Sequence, residues 1–226
     1  LLMKKIELFG QEILAKDSLC GPSPESRWEV EPSLRLYVKV TDSCNANCKF
    51  CANGSCTDFG NVDLSQLEFV IRYLKEKNRL HSIGLTGGEP MLDPDKLNDM
   101  LNLIWKIDKD IQVQISTNGL NLRQIASFDN PNNLESIHIS RHHYDDEKNI
   151  EIFGTDKVAT TDDICFLQDT LTNKRLININ TLVMKGYIED LEGIKKMLDY
   201  VGETGVYKNG FVSLMKCNDY SNEHFI

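Results

Sequence analysis

Leu34-Arg35-Leu36-Tyr37-Val38-Lys39-Val40-Thr41 runs directly into Asp42-Ser43-Cys44-Asn45-Ala46-Asn47-Cys48-Lys49-Phe50-Cys51. The first segment alternates apolar and polar side chains, the period of a β-strand. The second places three cysteines at the spacing C-x3-C-x2-C. Three thiolates on one tight loop can each ligate one iron of a [4Fe–4S] cube. The fourth iron then lacks a cysteine, and an open metal position is a place for chemistry. The same loop could instead hold zinc with Cys56 as fourth ligand, because thiolate sites suit both metals. The chain has seven cysteines, and the odd number argues against a disulfide framework.

The 226 residues suit one domain with a proper core. A formal net charge of −9 argues against partners such as nucleic acid or anionic lipid. No apolar run is long enough for a membrane span. Leu1-Leu2-Met3-Lys4-Lys5 turns polar too soon for a secretory signal, so a cytoplasmic location is expected.

Beyond Leu34 the pattern repeats. Strands are expected at 34–41, 82–86, 111–117, 134–140, 175–183 and 211–215. Helices are expected at 64–77, 94–107, 161–171 and 188–204, with a short piece near 122–127. Asp63 and Asp93 stand where N-caps belong, and Pro94 follows at the first helical position. Strands alternating with helices mean an α/β fold built on a parallel sheet or barrel. Residues 1–33 read as an N-terminal extension, with a loop at Gly21-Pro22-Ser23-Pro24.

The expected strands alternate, although parallel strands buried on both faces are normally continuous apolar runs. Ile111, Val113 and Ile115 alternate with Gln112, Gln114 and Ser116, and Ile177 and Ile179 with Asn178 and Asn180. A flat sheet with one wetted face would fit. A curved, barrel-like sheet around a polar cavity fits better, with Lys39, Gln114, His138 and Asn178 inside, facing a polar substrate.

The expected strand 82–86 ends in Thr86-Gly87-Gly88-Glu89-Pro90. Glycines let backbone approach a ligand closely, and a carboxylate can accept from an ammonium group. Alone this segment could be a turn. Following Cys44-x3-Cys48-x-Phe50-Cys51 by one βα unit, it resembles the radical S-adenosylmethionine (radical SAM) superfamily. Ser116-Thr117-Asn118-Gly119 and Ile179-Asn180-Thr181-Leu182-Val183-Met184-Lys185-Gly186 resemble the branch holding the molybdenum-cofactor GTP cyclase and the SPASM/twitch peptide maturases.

The resemblance implies a partial (β/α)6 barrel over 34–216. It implies a [4Fe–4S] cluster on Cys44, Cys48 and Cys51. SAM would chelate the open iron, and its reductive cleavage would yield a 5′-deoxyadenosyl radical that takes hydrogen from the substrate. Phe50 would lie near adenine, and Gly87, Gly88 and Glu89 would meet the SAM amino group. Ser116, Asn118 and Ser140 would contact ribose or carboxylate, with Asn180 and Met215 completing the site. An electron donor such as flavodoxin or ferredoxin is implied.

Departures limit the likeness. Ile139-Ser140 continues as Arg141-His142-His143-Tyr144, where the cyclase usually continues with Leu-Asp-Ser, so the cyclase reaction itself is not expected. Arg141 and His142 are candidate substrate contacts, or merely part of a capping loop, and Arg141 could pair with the SAM carboxylate. Cys217 could begin a second cluster in a C-terminal extension, 217–226. The expected function is a radical SAM enzyme acting on a polar small metabolite. A peptide maturase and a non-catalytic zinc or iron–sulfur protein are the alternatives.

Overall fold

The computed structural model describes residues 3–8, 10–16, 34–52, 62–77 and 80–226. Cys20, Cys56 and the loop at 21–24 lie outside the described residues. The chain divides into two compact units, Leu1–Ser33 and Leu34–Ile226. The first contains an antiparallel hairpin of β1 (Met3–Leu8) and β2 (Gln11–Lys16), turning at Gly10 with φ +74°.

The second unit holds six parallel strands in chain order: β3 (Leu34–Lys39), β4 (Leu80–Thr86), β5 (Gln112–Thr117), β6 (Ser136–Ser140), β7 (Ile177–Val183) and β8 (Lys208–Ser213). The crossovers carry α1 (Leu64–Glu76), α2 (Pro94–Ile107), α3 (Asp146–Phe153), α4 (Thr161–Thr170) and α5 (Leu191–Glu203); α6 (Asp219–Glu223) follows β8. This is the expected parallel α/β partial barrel.

Asp63 accepts from the Ser65 and Gln66 N–H groups, and Asp93 from Lys96. Both cap orphan donors as their position in the chain predicts. The apolar set of each strand (Ile83, Leu85, Val113, Ile115, Ile137, Ile139, Ile177, Ile179) is buried with Ile71 of α1, Leu101 of α2, Leu167 of α4 and Met197 of α5. The helices cover that face, so the polar set faces the other way.

Several expectations are corrected. The last strand is Lys208–Ser213, not 211–215, because its pairing with β7 begins at Asn178–Lys208. The β1–β2 hairpin, α3 and α6 were not anticipated. Helix α3 is short, but Asp145 at its N-cap and left-handed Gly154 at its C-cap are legible signals. Helix α6 is short, and Asn218 and Ser221 cap it reciprocally.

Candidate active site

The C-terminal ends of β3 and β4 are laced together. The Gly88 N–H donates to Thr41 O and the Glu89 N–H to Ser43 O, each at 2.8 Å. This approach requires glycine. A Cβ on Gly88 would sit 2.0 Å from Ser43 O, and one on Gly87, where φ is +144°, would sit 2.3 Å from Thr41 O. The two glycines thus bring the loop that begins at Asp42 against the end of β4.

Glu89 is buried and its carboxylate points to β5. One oxygen accepts from the Thr117 hydroxyl at 2.6 Å and the Met91 N–H at 2.9 Å; the other accepts the Asn118 N–H at 2.6 Å. Burial pushes its pKa up to about 7 in spite of these donors. Asn118 then reaches back: its amide donates to Asn45 Oδ1 at 2.9 Å and lies 3.9 Å from Cys44 Sγ. Three strand ends are therefore tied to the cysteine loop.

The loop has further supports. Asn45 Nδ2 donates to Lys157 O at 2.5 Å, the Asn47 N–H to Phe153 O at 2.9 Å, and Asn218 Nδ2 to Lys49 O at 2.9 Å. Cys217 is exposed, with Sγ 3.6 Å from Phe50 O. Asn45, Thr117, Lys157 and Asn218 were missed as site residues from the sequence, because only the fold brings them to the loop.

The donor set fits a cluster. Burial pushes the Cys48 thiol up to about 12, with Cys51 and Cys44 nearby adding to the rise. Burial also raises Cys44, with Glu89 and Cys51 contributing. Thiols crowded in this way hold their protons until a cationic centre displaces them. Among the described residues no three His, Cys, Asp or Glu side chains converge as one ion would need. A cube asks instead for one thiolate on each of three irons.

The other expected residues fall into four groups. Ser140 and Asn180 pair in register at the ends of β6 and β7, near exposed Ser116 on β5. Lys39, Gln114, His138 and Asn178 lie on the helix-free face; Lys39 bonds Asp42, and Gln114 bonds Glu135. Met215 lies past the end of β8 and is exposed.

Phe50, Arg141 and His142 pack inward. Phe50 meets the His142 ring edge-on at 5.3 Å, and His142 stacks on Phe153 at 5.0 Å. Burial drives the His142 pKa down to about 4, so the ring is neutral. Arg141, 1% exposed, pairs with Asp146 at 2.6 Å, donates to Ala159 O and Tyr144 O, and lies over the Tyr200 ring. Its terminal nitrogens are engaged by α3 and the loop before α4, while its buried Nε has no partner among the described residues.

Known proteins share this fold. The family model described as "Radical SAM superfamily" matches residues 38–201. The chain is 27% identical over 168 residues to GTP 3',8-cyclase of Helicobacter pylori strain J99, covering 73% of this chain and 51% of that protein. It is 27% identical over 188 residues to GTP 3',8-cyclase of Clostridium perfringens strain SM101, covering 80% and 55%. The chain thus spans about half the length of the curated relatives it matches. Streptococcus suis SuiB bound to S-adenosylmethionine superposes with a TM-score of 0.67 at 19% identity, covering 84% of this chain and 43% of that one. The anSMEcpe structure with bound AdoMet gives 0.63 at 21% identity, covering 84% and 55%. With its family match running from the first barrel strand through α5, across the glycine-laced strand ends, the chain belongs to the radical SAM superfamily.

Proposed function

We propose that this chain is an enzyme that binds a [4Fe–4S] cluster through Cys44, Cys48 and Cys51, cleaves SAM reductively, and takes hydrogen from a polar small metabolite. Cluster and SAM together supply the one-electron chemistry; the protein supplies binding, orientation and exclusion of water. The observation that carries the reading is the double backbone bond from Gly88 and Glu89 to the cysteine-loop root at Thr41 and Ser43.

Gly87, Gly88 and the Glu89 backbone meet the SAM amino group. The Glu89 carboxylate acts one step back, by fixing Thr117 and Asn118. Ser116, Asn118, Ser140 and Asn180 line the remaining strand ends for ribose and carboxylate, with Met215 past β8. Phe50 orders the loop through His142 and presents its free edge near adenine. Lys39, Gln114, His138 and Asn178 face the substrate. Arg141 and His142 support these groups from behind.

A flavodoxin- or ferredoxin-type protein supplies the electron. The centre is oxygen-sensitive and suits the cytoplasm. Among the described residues no helix is long and apolar enough to cross a membrane. A peptide substrate is the second reading, favoured by a solved SuiB structure bound to its precursor peptide SuiA. Exposed Cys217 beside Phe50 is a candidate ligand for a second cluster.

The test is anaerobic reconstitution with iron and sulfide, then dithionite and SAM, with 5′-deoxyadenosine assayed by mass spectrometry. Product that vanishes in Cys48→Ala supports the proposal. One bound zinc and no product would overturn it.

A further inference from the structure

Every polar group of Asn118, just past the end of β5, has a partner inside the protein. Its N–H donates to Glu89 at 2.6 Å, its C=O accepts from the Ala159 N–H at 3.1 Å, and its Oδ1 accepts from the Leu120 N–H at 3.0 Å. These bonds, with only 8% of the residue exposed, fix where its amide points. The amide nitrogen carries two hydrogens. One meets Asn45 Oδ1 at 2.9 Å, and the other faces Cys44 Sγ at 3.9 Å.

Cys44 Sγ also accepts from the Ala46 N–H at 3.4 Å. Two N–H dipoles therefore converge on one sulfur of the three-cysteine loop. The Ala46 donor comes with the loop's own turn. The Asn118 donor comes from 74 positions away and reaches the sulfur only because β5 ends beside the loop. In the metal-free chain the sulfur is a thiol, a weak acceptor. Ligation makes it a thiolate, and hydrogen bonds to an ionised acceptor are shorter and stronger.

We propose that Asn118 is a positioning residue for the cluster, whose amide donates to the Cys44 thiolate and raises the potential at which the cluster takes up its electron. The reduced cluster carries one more negative charge and shares it with its ligand sulfurs. A donor aimed at one of those sulfurs favours the reduced state. The inference rests on the three-cysteine cluster of the function proposed above, and on neither SAM cleavage nor the substrate. Asn118 Oδ1 keeps a second lone pair for a ribose hydroxyl, so the two roles use different atoms.

The experiment is an anaerobic redox titration of the iron- and sulfide-reconstituted full chain, without SAM, read by EPR. Asn118→Ala removes the donor and should lower the equilibrium constant for reduction about tenfold, which is about 59 mV for one electron. Asn118→Asp keeps the side chain's size and the acceptor for Leu120, puts a carboxylate beside Cys44, and should lower it further. Asn45→Ala loosens the same loop by breaking its bonds to Asn118 and Lys157, yet leaves the donor to sulfur, and should not lower it. No fall in the Asn118 variants, or an equal fall in Asn45→Ala, overturns the proposal. Where neither Asn118 variant takes up iron, pulsed EPR of reduced wild type grown with asparagine isotope-labelled at its side-chain nitrogen reads the contact directly. A coupling to that nitrogen that survives Asn45→Ala supports the proposal, and the lack of any coupling overturns it. A wild-type chain that holds zinc and no cluster overturns this inference together with the proposed function. A lowered potential in the Asn118 variants, with no 5′-deoxyadenosine from wild type once SAM is added, overturns the proposed reaction and leaves the role of Asn118 standing.

Discussion

The Asn118 N–H donates to the Glu89 carboxylate at 2.6 Å, joining the end of β5 to the end of β4. The same asparagine's side chain reaches Asn45, so the acid holds the cysteine loop at one remove. Glu89→Gln replaces one acceptor oxygen with a donor facing N–H or O–H groups. An unmet buried donor costs about 1–3 kcal/mol. The expected result is a lower Tm of the metal-free chain, checked by thermal unfolding.

The pH dependence of that bond has a definite sign. Burial raises the folded pKa of Glu89 from 4.5 to about 7. The folded state therefore binds more protons than the unfolded one between these values, and this group's contribution to stability falls as pH rises through that window. Wild-type Tm should lose this component between pH 5 and pH 8, and Glu89→Gln should not. Equal slopes in the two proteins would refute the assignment.

His142 has the opposite sign. Its pKa falls from 6.5 to about 4 through burial, so its contribution is complete above pH 6.5 and is lost as pH drops toward 4. Protonation would place a cation between Phe50 and Phe153 and remove the acceptor for the Leu182 N–H at 3.3 Å. NMR titration of the metal-free chain should show this imidazole still neutral at pH 5.

Gly88→Ala places a methyl 2.0 Å from Ser43 O, where only backbone can yield. The expected cost is about 3 kcal/mol, together with fewer irons bound per chain after reconstitution. Gly202→Ala, with nothing within 4 Å of its Cβ position in α5, should instead gain about 0.5 kcal/mol. Iron analysis and denaturant unfolding of the two variants check both halves.

Arg141→Met removes the ion pair with Asp146 and the donor to Ala159 O and Tyr144 O. Two carbonyls left without this donor, beside a half-exposed Asp146 that keeps Thr161, cost about 1–3 kcal/mol. Arg141→Lys keeps the charge but not the fork, so it should recover only part of that loss. If the two variants proved equally stable to urea, the directional role of the guanidinium would be refuted.

The cysteine loop, the βα order and the division into apolar and polar strand faces were legible in the chain. They depend on spacing and on periods of 2 and 3.6 residues, which are properties of neighbours in sequence. Helix α3 was legible in principle through Asp145 and Gly154, but its eight residues bury only Asn149, Ile152 and Phe153, too few for a clear period. The side-chain destinations were not legible. Glu89 and Arg141 both looked like ligand-facing charges; one turns to β5 and the other to α3 and α5.

The sequence by itself determined the donor set of the loop, because three thiols at fixed spacing carry their chemistry with them. Only the tertiary structure decided what holds the loop. Asn45 meets Lys157 across 112 positions, and Cys217 meets Phe50 across 167. Such pairs arise when the strands curl and the crossovers close over them. Burial then decides which charged group is left facing solvent and which must find its partner inside.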